Sequence, residues 1–217
     1  MIQRFPLLVF DWDGTLMDST ALIVQSIQLA CAELGLAVPD RAAASWVIGM
    51  GLAEALRHVA PALDPADTPR LVDAYRRHYL AHDQDLQLFP GALAMLQQLK
   101  ARGHSLAVAT GKSRPGLERV LQHADLRGLF DATRTADQTA SKPDPTMLQQ
   151  LMAELVYPPE LTLMVGDTTH DLQMAANAGV AAVACSYGAH PASDLLQLRP
   201  LHLVDSVAQL RSFLIDG

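Results

Sequence analysis

The chain has 217 residues, a net charge of −7, half of its residues hydrophobic and 18% charged. That composition supports a folded core and excludes a disordered chain, and the acidic balance argues against a general nucleic-acid-binding surface. Two cysteines, Cys31 and Cys185, are too few for a disulfide framework and read as small core residues.

The first element is "LLVF", Leu7 to Phe10, which runs straight into Asp11 and Asp13. "FPLLVF" is too short for the apolar core of a secretory signal, and no stretch approaches the roughly 20 apolar residues of a membrane span. The expected setting is therefore cytoplasmic, with no membrane partner. From Ser19 to Asp85 the pattern is helical, with "ALIVQSIQLACAELG", "LAEALRHVAPAL" and "PRLVDAYRRHYLAHD" in turn. "ALAMLQQLKARG" is a helix ending at Arg102 and Gly103, a suitable C-terminal cap. "LAVAT" (Leu106 to Thr110) is a second strand, followed by the helical "SRPGLERVLQHADL". "SKPDP" opens a helix continuing through "DPTMLQQLMAEL", with Pro and Asp in its first turn. "LTLMVGD" (Leu161 to Asp167), "DLQMAANAG", "VAAVAC" (Val180 to Cys185), "LHLV" and "SVAQLRSFLI" complete the alternation.

Short apolar strands alternating with helices predict an α/β fold, doubly wound around a mainly parallel sheet. The helical block reads as an all-helical cap inserted at 18–86, between core segments 1–17 and 87–217. Its expected hinges lie near Leu16–Ser19 and Leu86–Gly91.

Open α/β sheets bind ligands outside the carboxyl ends of their strands. Asp11, Asp13, Thr110 and Asp167 all fall at such ends, with Lys142 just ahead of a helix. Three aspartates converging on one cleft cannot all stay ionised unaided, and an all-oxygen set suits Mg²⁺. A carboxylate beside the metal is a nucleophile of the aspartyl-phosphate type. Asp13, two residues on and on the same side of an extended chain, suits the general acid and base.

"DWDGTL", "VATGK", "SKPDP" and "GDTTHD", in that order, resemble the four motifs of the haloacid dehalogenase-like hydrolase superfamily. The likeness spans the chain and is nearest to the phosphoglycolate phosphatase-like branch. It implies that Asp11 is the phosphorylated nucleophile and Asp13 the acid/base. Thr110 and the Gly111 amide would bind phosphate, and Lys142 would neutralise the intermediate. Asp167 would bind Mg²⁺ with Asp11 and the backbone carbonyl of Asp13, and Asp171 would stand behind them. In "IGMGLAEAL", Gly49 and Gly51 resemble that branch's substrate loop. One departure stands out: Gly111 replaces the Asn that often follows the motif-two Thr, which sets phosphoglycolate itself in question.

The expected activity is phosphate release from small phosphorylated metabolites, in an oligomeric state left open with a monomer allowed. A sugar phosphomutase shares this chemistry. A haloacid dehalogenase lacks a counterpart to Asp13, and a phospho-accepting receiver module lacks the inserted cap. His58, His78, His82, His170 and His190 have no metal-ligand spacing and read as surface or packing residues, with His170 facing away from the cleft. Arg76 and Arg77 read as a solvated helix face, and Met147, Met152, Met164 and Met174 as core filler.

Overall fold

The computed structural model describes residues 4–122 and 124–216. Its strands are β1 (Leu7–Phe10), β2 (Ser105–Thr110), β3 (Ala132–Thr135), β4 (Thr162–Gly166), β5 (Ala181–Cys185) and β6 (His202–Val204). They form one sheet in the order β3-β2-β1-β4-β5-β6, and every pairing is parallel. In chain order the helices between β1 and β2 are α1 (Thr20–Glu33), α2 (Arg41–Trp46), α3 (Leu52–Val59), α4 (Thr68–Leu80) and α5 (Ala92–Ala101). After β2 come α6 (Arg114–Leu121), α7 (Thr146–Leu155), α8 (Thr169–Asn177), α9 (Ala192–Gln197) and α10 (Val207–Asp216).

β1 is apolar at every position because both faces of the sheet are covered. Leu8 and Phe10 pack in one layer with Leu96 and Leu99 of α5 and Leu210 of α10. Leu7 and Val9, one residue out of phase, meet Leu148 and Leu151 of α7 and Met174 of α8. Each such side chain contributes roughly 1.5–3 kcal/mol when fully buried. All four methionines read as core filler lie in this second layer, and Cys31 and Cys185 are free and buried.

Helices α1 to α4 build a second core of their own. Ile23, Ile27 and Ala30 of α1 pack with Leu56 of α3 and with Leu71 and Ala74 of α4. The two segments joining these helices to the sheet and its flanking helices run side by side. The Asp18 amide donates to the Gln87 carbonyl at 3.0 Å, and the Phe89 amide to the Leu16 carbonyl at 2.9 Å.

The structure departs from the sequence reading at several elements: α3 ends at Val59 and α4 at Leu80, ahead of the expected Leu63 and Asp83. β3, "ATRT", is an edge strand with no apolar run; its Arg134 reaches out to Gln150 and Glu154 on α7. α2 is a short helix whose start is fixed by Asp40, which accepts from the Ala43 amide at 2.8 Å. Pro143 and Asp144 lie ahead of α7 rather than in its first turn: the helix begins at Thr146, whose amide donates to Asp144 at 2.9 Å. α6 ends at Leu121, well short of the predicted Leu126. Each departure is a short or polar stretch where tertiary contacts outweigh weak local preference.

Candidate active site

The order of the sheet reverses between β1 and β4, and this is where such folds open a crevice. Asp11 leaves β1 there and Asp167 leaves β4, with the Asp11 amide donating to the Val165 carbonyl at 2.9 Å. Thr110 ends β2 on the other side of β1. One carboxylate oxygen from each of Asp11, Asp167 and Asp171 lies within 4.8 Å of the other two, and all three residues are buried.

Lys142 enters this cluster fully buried. Its ammonium is 2.7 Å from Asp11 Oδ1 and 2.6 Å from Asp171 Oδ1. Burial alone would lower its pKa, but Asp11 and Asp171 reverse that and hold it above the ordinary lysine value. Burial pushes Asp11 up to about 7; Lys142 opposes the shift and Asp171 adds to it. Asp167 is also raised, by burial and then by Asp11 and Asp171.

The cluster has the features of a cation site. Three carboxylates face a single ammonium, so the buried group carries two unmatched negative charges when ionised. Asp11 Oδ2 is buried without a hydrogen-bond partner among the described residues. Oxygen donors in this number and of this hardness fit a divalent ion of the Mg²⁺ type.

Local structure holds two of the carboxylates in place. Asp171 is the third residue of α8 and forms a capping box with Thr168, accepting from its amide at 3.1 Å and its hydroxyl at 2.7 Å. "TTHD" therefore starts a helix and fixes a carboxylate with the same residues. Asp167 Oδ1 accepts from the Thr15 hydroxyl at 2.7 Å, and Oδ2 from the Ala189 amide at 2.7 Å. Gly14 and Gly188 press against it: a Cβ at either position would fall 2.2 Å from Asp167 Oδ2.

The Asp13 carboxylate is not part of this three-carboxylate group. Its Oδ1 accepts from the Ser19 hydroxyl at 2.6 Å and from the Lys112 ammonium at 2.9 Å. Among the described residues its Oδ2 has no hydrogen-bond partner. Lys112 also donates to the Tyr79 hydroxyl of α4 at 2.9 Å. No catalytic or binding expectation attached to Lys112, Tyr79, Ser19 or Thr15 from the sequence. Lys112 alone carried a signal, standing two residues after Thr110 in the same strand-end loop.

The loop between α2 and α3 closes over the strand ends. A Cβ at Gly111 would lie 2.4 Å from the Met50 carbonyl oxygen and 2.6 Å from that of Gly49, so a side chain there cannot coexist with this loop position. Gly49 and Gly51 both line the cleft beside Thr110 and Gly111. The Gly51 amide is already engaged, donating to Ser141 Oγ at 2.7 Å.

Behind the loop, the Trp46 carbonyl accepts from His170 Nε2 at 2.8 Å and from His190 Nε2 at 3.0 Å. His190 Nδ1 accepts from the Thr169 amide at 3.0 Å. Both rings are buried packing residues that pin the helical unit to the sheet domain. His78 and Arg77 pair with Glu33 at the surface, while exposed Arg76 borders the cleft.

The sequence profile of the haloacid dehalogenase-like hydrolases matches residues 8–185. The chain is 34% identical to the "Probable phosphatase IndB" of Dickeya dadantii, over 94% of this chain and 91% of that protein. It is 31% identical to a 5'-nucleotidase of Pseudomonas aeruginosa, over 97% and 96% of the two chains. The structure of a haloacid dehalogenase-like family protein from Streptococcus pneumoniae superposes with a TM-score of 0.82. At 24% identity, it covers 97% of this chain and 98% of that one and shares its fold.

Proposed function

Because the chain belongs to the haloacid dehalogenase-like hydrolases, we propose that it is a Mg²⁺-dependent phosphatase acting on phosphate monoesters of small molecules. The observation that carries this reading is the buried meeting of Asp11, Asp167 and Asp171 around Lys142, with Asp11 Oδ2 unpartnered. The names of the relatives, a phosphatase and a 5'-nucleotidase, agree with it.

Asp11 attacks phosphorus and forms a phospho-aspartate as the ester P–O bond breaks. Asp13 gives its proton to the departing oxygen, then takes one from the water that attacks the phospho-aspartate. That second displacement releases phosphate and restores the Asp11 carboxylate. The Thr110 hydroxyl and Gly111 amide hold phosphoryl oxygens, and Lys142 favours the ionised form of Asp11, orients it and neutralises the intermediate. Asp11, Asp167 and the Asp13 backbone carbonyl would hold Mg²⁺, with Asp171 in reach; when bound, it offsets charge on the phosphoryl group. Segment 18–86 acts as a cap on the core of 1–17 and 87–217, excluding water when closed.

The test is Asp11→Asn, assayed for phosphate release from p-nitrophenyl phosphate with Mg²⁺ alongside circular dichroism. Loss of turnover in a folded variant is expected. Hydrolysis at the wild-type rate would remove Asp11 from the reaction.

A further inference from the structure

The cleft above Asp11 and Asp13 has a volume of about 650 Å³, within the range of sites that enclose drug-sized ligands. Asp11, Asp13, Thr110 and Gly111 belong to its lining at the sheet end. Its other walls include Ile23, Ile48, Met50, Val72, Tyr75 and Leu86, from the helical unit and its return segment. A phosphorylated two-carbon acid is too small to touch most of them and would leave apolar walls against water.

The charges point the same way. A substrate with a second acidic group needs an unpaired cation inside the cleft. Lys112 is held by Asp13 and Tyr79, and Arg119 by Asp83 at 2.8 Å. Arg57 and Arg76 also belong to the lining, with side chains open to solvent rather than inside the cleft. Asp83 is matched by Arg119, and Glu54, exposed like the two arginines, belongs to the same lining, so the exposed charges are of both signs. A phosphoryl group has its own built position at the sheet end, and the apolar walls beyond it, Ile23, Ile48, Val72 and Leu86 among them, suit an uncharged group.

Resting on the phosphatase reading, we propose that the physiological substrate joins its phosphate to an uncharged, predominantly apolar or aromatic group large enough to reach the cap wall. Short phosphorylated acids such as phosphoglycolate are then poor substrates. The Tyr75 and Tyr79 rings, stacked at 5.7 Å between centroids, give that wall an aromatic section.

The test uses n-alkyl phosphates from ethyl to hexyl, whose leaving groups are chemically alike, together with phosphoglycolate, all with saturating Mg²⁺. Burial of each added methylene is expected to raise kcat/KM about fourfold, so hexyl phosphate exceeds ethyl phosphate by roughly 250-fold. Phosphoglycolate falls at or below ethyl phosphate. Val72→Asn reduces the increment per methylene. A flat series, an increment unchanged by Val72→Asn, or a preference for phosphoglycolate overturns this proposal while leaving the phosphatase reading intact. Release of phosphate from no ester, p-nitrophenyl phosphate included, overturns both.

Discussion

The Lys112 ammonium stands 2.9 Å from Asp13 Oδ1 and 2.9 Å from the Tyr79 hydroxyl, so one side chain joins the proposed acid/base to helix α4. Burial alone would lower the Lys112 pKa, but Asp13 and Tyr79 hold it above the ordinary value. Its cation therefore persists across the working pH range and anchors Asp13 through Oδ1, leaving Oδ2 for proton transfer.

Lys112→Met is expected to lower kcat about 100-fold on an alkyl phosphate, the lower range for a disturbed proton transfer. The loss should be much smaller on p-nitrophenyl phosphate, whose leaving group departs without a proton. Steady-state kinetics on both esters checks this. Equal losses on the two would mean that Lys112 supports the fold of the cleft rather than the orientation of Asp13.

Gly111→Ala forces a Cβ into the Met50 and Gly49 carbonyls. Both contacts are with backbone, so the loop between α2 and α3 must move. We expect kcat/KM to fall by about 10-fold or more, in line with the sensitivity of closure to small displacements. The melting temperature should change little, because Gly111 is outside all the hydrophobic cores. Fluorescence of Trp46, at the end of α2 and 42% exposed, reports the loop shift. An unchanged kcat/KM and spectrum would show that the loop does not need to close.

Thr15→Val removes the hydrogen bond to Asp167 Oδ1 while keeping the side-chain volume. Loss of a group that orients a metal ligand weakens metal binding by about 10-fold to 100-fold. The Mg²⁺ concentration for half-maximal activity should rise by that factor, with kcat at saturating Mg²⁺ largely kept. A Mg²⁺ titration equal to wild type would exclude Asp167 as a ligand.

Asp11 is raised from its ordinary 3.8 to about 7, first by burial, and Asp167 is raised in the same direction. A raised carboxylate pKa means that the folded, metal-free protein binds protons more readily than the unfolded chain. In EDTA this contribution to stability is complete below pH 3.8 and is lost as pH rises through about 7. Mg²⁺ must displace those protons. Its affinity should therefore climb as pH rises through about 7, with protons released on binding at pH 6. Calorimetry in two buffers of different ionisation enthalpy measures the release. Pronounced tightening as pH falls would contradict it.

The strand ends show how much of the site was legible along the chain. Apolar runs of four to six residues stop at Asp11, Thr110 and Asp167, and a sheet buried on both faces leaves few places for such polar residues except its carboxyl edge. Gly111 in place of the expected Asn was visible as a departure, but its reason was not: the Met50 and Gly49 carbonyls occupy the space a side chain would need. β3 and α2 were missed because a four-residue polar edge strand and a six-residue helix carry almost no periodic signal.

By itself the sequence determined the alternating fold, the inserted helices and the identities of the acidic residues and Lys142, since strand burial and motif order are encoded locally. Only the tertiary structure decided that Lys142 bridges Asp11 and Asp171, that Lys112 links Asp13 to Tyr79, and that the cleft has apolar walls. These contacts join residues as far as 131 positions apart. Coulomb energy and burial depend on distance in space, and that distance is set by how the sheet and the helical insert pack together.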